Sequence, residues 1–156
     1  NGIILLTGLG LVAFLTGSSW LTIVAFCVVA ALFAFLLFNL NPAKVFPGDV
    51  LTYPVGGLIA ILAILGNFEK VAFFFFIPVI LEVILKLRGG LKKSSFGLPM
   101  KDGTLKQRHD GIYGTTHLGI FILNKLNIRA TETNVVLLIW SFNLIVVILG
   151  LVLFIL

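Results

Sequence analysis

The run LTIVAFCVVAALFAFLLF, residues 21–38, leads into the polar nonapeptide NPAKVFPGD, residues 41–49, and then into LTYPVGGLIAILAILG, residues 51–66. No charge interrupts either apolar run. A transmembrane barrel strand would alternate apolar with polar positions, and these runs do not. The composition extends the reading to the whole chain. Of 156 residues, 60% are hydrophobic and 11% charged, with a mean hydropathy of +1.19. A soluble domain is about half apolar and a quarter charged. The chain is therefore read as all-α, a polytopic transmembrane helix bundle.

Five apolar segments are predicted, at 3–16, 21–38, 51–66, 71–87 and 135–156. The first is short: about 14 residues at 1.5 Å each reach ~21 Å, less than a ~30 Å hydrocarbon core. It is expected either to be truncated or to start with Asn1 in a polar cavity near the membrane surface. The last is long enough to cross with tilt. Gly17-Ser18-Ser19 and residues 66–70 supply turns on one side of the membrane. Loops 39–50 and 88–134 lie on the other. Pro78 falls inside the fourth segment and should kink it.

Charge sets the orientation. Ten of the 11 Lys and Arg residues (Lys44, Lys86, Arg88, Lys92, Lys93, Lys101, Lys106, Arg108, Lys125 and Arg129) fall on the side of the two long loops, and Lys70 on the other. By the positive-inside rule the basic side is cytoplasmic. No internal repeat is evident, and residues 1–156 are expected to form one membrane domain. Cys27 has no partner and reads as a small buried residue. The chain opens on Asn1 without a charged region and cleavage site. No signal peptide is read, and the sequence is expected to begin partway through a longer protein.

The polar residues admit two readings each. Asp49 opens the third segment, either as a helix N-cap or as a ligand for a hard cation such as Mg²⁺. Asn1-Gly2 are turn residues, or Asn1 lends an amide oxygen to the same ion. The stretch 88–108 is a basic loop lying on anionic lipid, or a funnel for a polyanionic substrate. Ser94-Ser95-Phe96-Gly97 and Lys101-Asp102-Gly103 are turns whose backbone N–H groups could meet a phosphate. Nucleic acid is disfavoured, because aromatic interleaving is thin. His117 begins a short interfacial segment and is structural or catalytic. His109 has no assigned role. Glu82 and Lys86 form an i,i+4 pair, with Glu82 facing the bundle. Walker A, zinc-spaced Cys/His and nucleophile-elbow motifs are absent.

Residues 41–49 resemble the N-P-A-(K/R)-V-F-x-G-D signature of polyprenyl-phosphate N-acetylhexosamine-1-phosphate transferases. Asn1-Gly2 resembles the N-G that opens the preceding span of that family. Thr116-His117-Leu118 and Asn134-Val135-Val136-Leu137-Leu138-Ile139-Trp140 resemble its His segment and final span. Gly119-Ile120-Phe121-Ile122-Leu123 is similar to a stretch of its dolichyl branch. The resemblance covers the whole chain as the C-terminal half of a roughly ten-span enzyme. It implies transfer of N-acetylglucosamine-1-phosphate from a UDP-amino sugar, UDP-N-acetylglucosamine above all, to a polyprenyl phosphate lipid, with release of UMP. It further implies Mg²⁺ (or Mn²⁺) held by Asp49 and Asn1. Asp49 and His117 are the catalytic candidates. Phe46 would stack on uracil, and Lys44, Asn41, Arg88, Lys92 and Lys93 would bind substrate. A homodimer is compatible with this reading.

Some family features are missing. The Asp-Asp pair of an earlier cytoplasmic loop is not in these 156 residues, so the chain alone is expected not to turn over. The eukaryotic Pro-Arg-His-Arg segment is replaced by Lys92-Lys93-Ser94-Ser95-Phe96-Gly97, in the style of archaeal members. Ile4 stands where the dolichyl branch often has an acid. The competing reading is a non-catalytic membrane subunit whose basic loop docks on anionic lipid. A transporter would need polar residues at mid-span in repeated halves, and none are found.

Overall fold

A computed structural model describes residues 1–40, 43–90, 93–94, 96–100, 102–108 and 111–154. It resolves into two compact units, Asn1–Phe76 with Asn143–Leu156, and Ile77–Phe142. The first unit holds α1 (Gly2–Leu15), α2 (Ser19–Asn39), α3 (Asp49–Leu65), α4 (Glu69–Phe75) and the C-terminal part of α7 (Glu132–Phe154). The second holds α5 (Ile77–Arg88), a hairpin of β1 (Leu98–Pro99) and β2 (Leu105–Lys106), α6 (Thr115–Lys125) and the start of α7.

In the first unit α1 packs against both α2 and α3. It is buried on several sides, through Leu5, Leu6, Leu9, Val12 and Ala13. The neighbouring α2 buries only Leu21, Ala25, Val29 and Leu32, a single stripe at helical spacing. Cys27 falls off that stripe and is exposed, contrary to the buried position expected for it. Helices α2 and α7 are long and apolar enough to cross a membrane. Only 22% and 28% of their most apolar windows are buried within the protein, whereas the core helix of a soluble domain would be mostly enclosed. Large side chains such as Trp20, Ile23, Phe33 and Leu37 point outward. An apolar exterior of this extent marks a membrane protein. Helices α1 and α3 are apolar but shorter.

The helix ends follow one rule. After α1, α3 and α6 the chain closes a paired turn. Ser18 and Gly17 donate to Ala13 and Phe14, Phe68 and Asn67 to Ala63 and Ile64, and Ile128 and Asn127 to Leu123 and Asn124. Gly17, Asn67 and Asn127 supply the left-handed residue, with φ of 81°, 56° and 56°. A Cβ at Gly66 would collide with the buried ring of Phe68, so that turn admits only glycine.

The fourth segment is interrupted two residues before Pro78: α4 ends at Phe75 and α5 begins at Ile77. Pro78 is the second residue of α5, where its missing N–H costs no intrahelical bond. The all-helical reading omitted the hairpin, which pairs Leu98 with Lys106 and Pro99 with Leu105. Strands of two residues are too short to show a period of two.

Close packing in the first unit surrounds Phe75, which is 1% exposed. A Cβ at Gly8 of α1 would lie 2.9 Å from its ring and 2.7 Å from Val147, and one at Gly150 of α7 would lie 2.5 Å from the ring. Gly150→Leu should therefore destabilise the solubilised full-length protein by about 1–3 kcal/mol. In a Phe75→Ala background the same change should cost much less, because the ring it strikes is gone. Equal losses in both backgrounds, measured by denaturant unfolding, would show that the two residues do not share this contact.

Candidate active site

Asn1, Lys44, Phe46 and Asp49 belong to the first unit, and Arg88, Lys93 and His117 to the second. Asn41, Lys92 and His109 lie outside the described residues.

Asp49 is the first residue of α3, and Gly48 takes the N-cap position with no side-chain capping bond. At this first position a carboxylate complements the helix dipole. It is exposed, as are Lys44 and Gly48. Pro54 within α3 removes the N–H that would bond the carbonyl of Val50, leaving another oxygen acceptor next to Asp49 in the chain. The start of α1 approaches this end of α3. A Cβ at Gly2 would lie 3.2 Å from Val55 Cγ1, and Val55 is six residues beyond Asp49, about 9 Å along the axis. Asn1 and Asp49 thus occupy the same end of the unit, both exposed.

The loop before Asp49 is tied back onto α2. Asn39 donates its side-chain amide to the carbonyl of Val45 at 2.7 Å, and the Lys44 amide donates to the carbonyl of Phe38 at 2.8 Å. This leaves Phe46 extended into the surroundings, 86% exposed. So exposed an aromatic contributes nothing to the unit's core, which suits it to stack on a planar ligand. Asn39 was not singled out from the sequence; its only signal is a polar residue ending an apolar run.

In the second unit the basic loop is organised by side-chain bonds. Glu82 accepts the backbone N–H of Thr115 at the start of α6 through Oε2, and its Oε1 meets Lys86 Nζ at 3.3 Å. It therefore faces inward and caps a neighbouring helix. Lys93 donates to the Tyr113 hydroxyl at 2.8 Å, with its ammonium 4.2 Å from that ring's centre. Arg88, in the last turn of α5, is exposed. Asp102 accepts the hydroxyl and the amide of Thr104, and these bonds hold its carboxyl below the usual carboxylate range.

His117 is fully buried. Its Nε2 lies 3.4 Å from the carbonyl of Phe96, and its own carbonyl accepts the Gln107 amide at 3.0 Å. It joins α6 to the segments on either side of the hairpin. In this arrangement it can hold the Phe96 segment and Gln107 against α6.

The Asn39 bond offers a direct test. In Asn39→Ala, hydrogen exchange at the Lys44 amide should accelerate roughly 2- to 10-fold, the worth of one hydrogen bond. Unchanged exchange would show that the loop is held by other contacts.

Residues 1–67 match the sequence profile described as glycosyl transferase family 4. A protein of Saccharolobus solfataricus, provisionally named UDP-N-acetylglucosamine–dolichyl-phosphate N-acetylglucosaminephosphotransferase, is 34% identical over 154 residues, covering 97% of this chain and 46% of its own length. A Sulfolobus acidocaldarius protein of the same provisional name is 31% identical over 153 residues, covering 97% of this chain and 45% of its own. A phospho-N-acetylmuramoyl-pentapeptide-transferase of Bifidobacterium longum is 31% identical over 139 residues, 86% of this chain and 32% of its own. The chain spans about half the length of the archaeal relatives it matches. No solved structure matches it significantly. Residues 1–67 thus carry the profile of glycosyl transferase family 4, and nearly the whole chain is similar to half of these archaeal N-acetylglucosaminephosphotransferases.

Proposed function

We propose that this chain forms the C-terminal half of a membrane transferase. The enzyme moves N-acetylglucosamine-1-phosphate from UDP-N-acetylglucosamine to a polyprenyl phosphate. An oxygen of the lipid phosphate attacks the β-phosphorus of the nucleotide sugar, the bond to the bridging oxygen breaks, and UMP leaves with that electron pair. The observation that carries the reading is the geometry of residues 43–49. A pinned loop projects Phe46 outward and delivers Asp49 to the mouth of α3, at the end of the unit where α1 begins.

Asp49 and Asn1 fit Mg²⁺, or Mn²⁺ in its place. A carboxylate and an amide oxygen are hard donors, and both residues are exposed. Among the described residues no three His, Cys, Asp or Glu side chains gather. Mg²⁺ takes one or two carboxylates and completes its shell with water and phosphate oxygens. Such an ion would neutralise charge on the diphosphate. Phe46 would stack on uracil. Lys44 and Arg88 would draw two anionic substrates to the membrane boundary, together with Lys93, whose ammonium Tyr113 holds in place. His117 would act as a positioning residue, holding the Phe96 segment against α6. We read the apolar segments as five crossings, with the basic face cytoplasmic; the bias of Lys and Arg supports that orientation.

In the full-length parent protein, Asp49→Asn should lower Mg²⁺-dependent sugar-phosphate transfer by at least about 100-fold, the scale on which loss of a charge-stabilising group is felt. Membrane insertion and unfolding midpoint should stay unchanged. Transfer near the unmodified rate would remove Asp49 from the mechanism.

A further inference from the structure

The second unit contains a cavity that the transferase reading does not use. It measures about 460 Å³ and lies between the hairpin and the turn joining α6 to α7. Its walls carry Lys106 and Arg129, the amides of Asn124 and Asn127, and the apolar side chains of Met100 and Ile128. We propose that this cavity binds the phosphate headgroup of an anionic membrane lipid, an inference that rests on the membrane reading above but not on the transfer chemistry.

The cavity is a fixed feature of the fold. The Leu105 amide donates to the carbonyl of Ala130 at 2.7 Å, and Thr104 bridges Thr131. Asn134 donates its side-chain amide to the carbonyl of Arg129 at 2.9 Å. Beneath lies a small apolar core of Ile120, Leu123, Ala130 and Val135. The volume falls within the ~300–1,000 Å³ common for small-molecule sites.

The chemistry suits an anion. Lys106 and Arg129 are both exposed, and among the described residues neither takes part in a salt bridge. Two basic residues and two asparagines in the lining supply N–H donors of the kind that meet the oxygens of a phosphodiester. Asp102 lies near enough to Arg129 to feel its charge, but its carboxylate is engaged by Thr104 at the hairpin turn.

Position selects a lipid over a free phosphate. Arg129 precedes Glu132, the first residue of membrane-length α7, by only three positions. The cavity therefore stands where that helix enters the bilayer, at headgroup depth. Apolar side chains flank the cations: Met100 and Ile128 line the cavity and are about half exposed, and the adjoining Leu126 is 60% exposed. Basic groups beside exposed apolar ones match a molecule that is charged at one end and hydrocarbon at the other.

The test is lipid retention by the full-length parent protein in neutral detergent, read by native mass spectrometry. The unmodified protein should retain phosphatidylglycerol about 10- to 30-fold better than phosphatidylcholine, as expected for two basic residues near a surface phosphate. Lys106→Gln with Arg129→Gln should abolish the preference. The charge-keeping pair Lys106→Arg with Arg129→Lys should retain it, which separates loss of charge from misfolding. Asp49→Asn should also retain it, so that this inference and the transferase reading fail separately. An undiminished preference in the Gln pair would overturn the proposal. So would an equal loss in Lys70→Gln, which would point to net charge alone. Displacement of the lipid by millimolar inorganic phosphate would overturn it too, in favour of a free-anion site.

Discussion

The ring of Phe75 between Gly8 and Gly150 fixes the first unit. Between helices in lipid there is little hydrophobic drive, since the tails are as apolar as the side chains. Close approach of surfaces must supply the attraction, and two glycines provide the notches. Helix α7 presents Asn143, Val146, Val147 and Gly150 along one buried face, at the spacing of successive turns. Val147 and the Phe75 ring press on the same glycine of α1. The lengthwise register of α1 is thereby set, and so is the place of Asn1, two turns before Gly8. A polar end group is positioned by packing deep in the apolar part of the unit.

The polar end follows a different logic. Asp49 stands at the start of α3, where the backbone dipole favours a negative charge. A side-chain cap at Gly48 is impossible, and Asp49 beside it is exposed, while the Leu51 and Thr52 amides already bond the Gly48 carbonyl. An anion favoured by the dipole and a cation meeting the carboxylate could occupy neighbouring positions. In the proposed transfer, a metal-neutralised diphosphate would present both signs of charge at once to this helix mouth.

Much of this was legible in the sequence, for identifiable reasons. The apolar runs gave α1, α2, α3 and α7 within a few residues, because a segment without internal charge has few other solutions in lipid. The turns at 17–19 and 66–70 were visible because Gly and Asn accept left-handed backbone. The signature at 41–49 pointed to the family before any geometry. The break at Phe76 was legible only as a kink expected at Pro78, since a proline within an apolar run predicts a kink as readily as a new helix start. The exposure of Cys27 was hidden too, because in a uniformly apolar helix hydrophobicity does not mark which face is buried. Nor could sequence spacing place His117 in the interior or bring Glu82 to Thr115, 33 residues away.

Several of the loop contacts share a form. Asn39 reaches Val45, Glu82 reaches Thr115, Gln107 reaches His117 and Asn134 reaches Arg129, each by one polar side chain bonding one backbone group. At a membrane boundary a loop cannot rely on a packed core of its own, and a single directed bond sets its path instead. Such a pin depends on the sense of the bond as well as the reach of the side chain. An aspartate at position 39 would match asparagine in shape, yet it has no N–H to give the Val45 carbonyl and would set a negative charge against it. For this loop the isosteric change should be more damaging than truncation to alanine, which merely leaves the carbonyl to water.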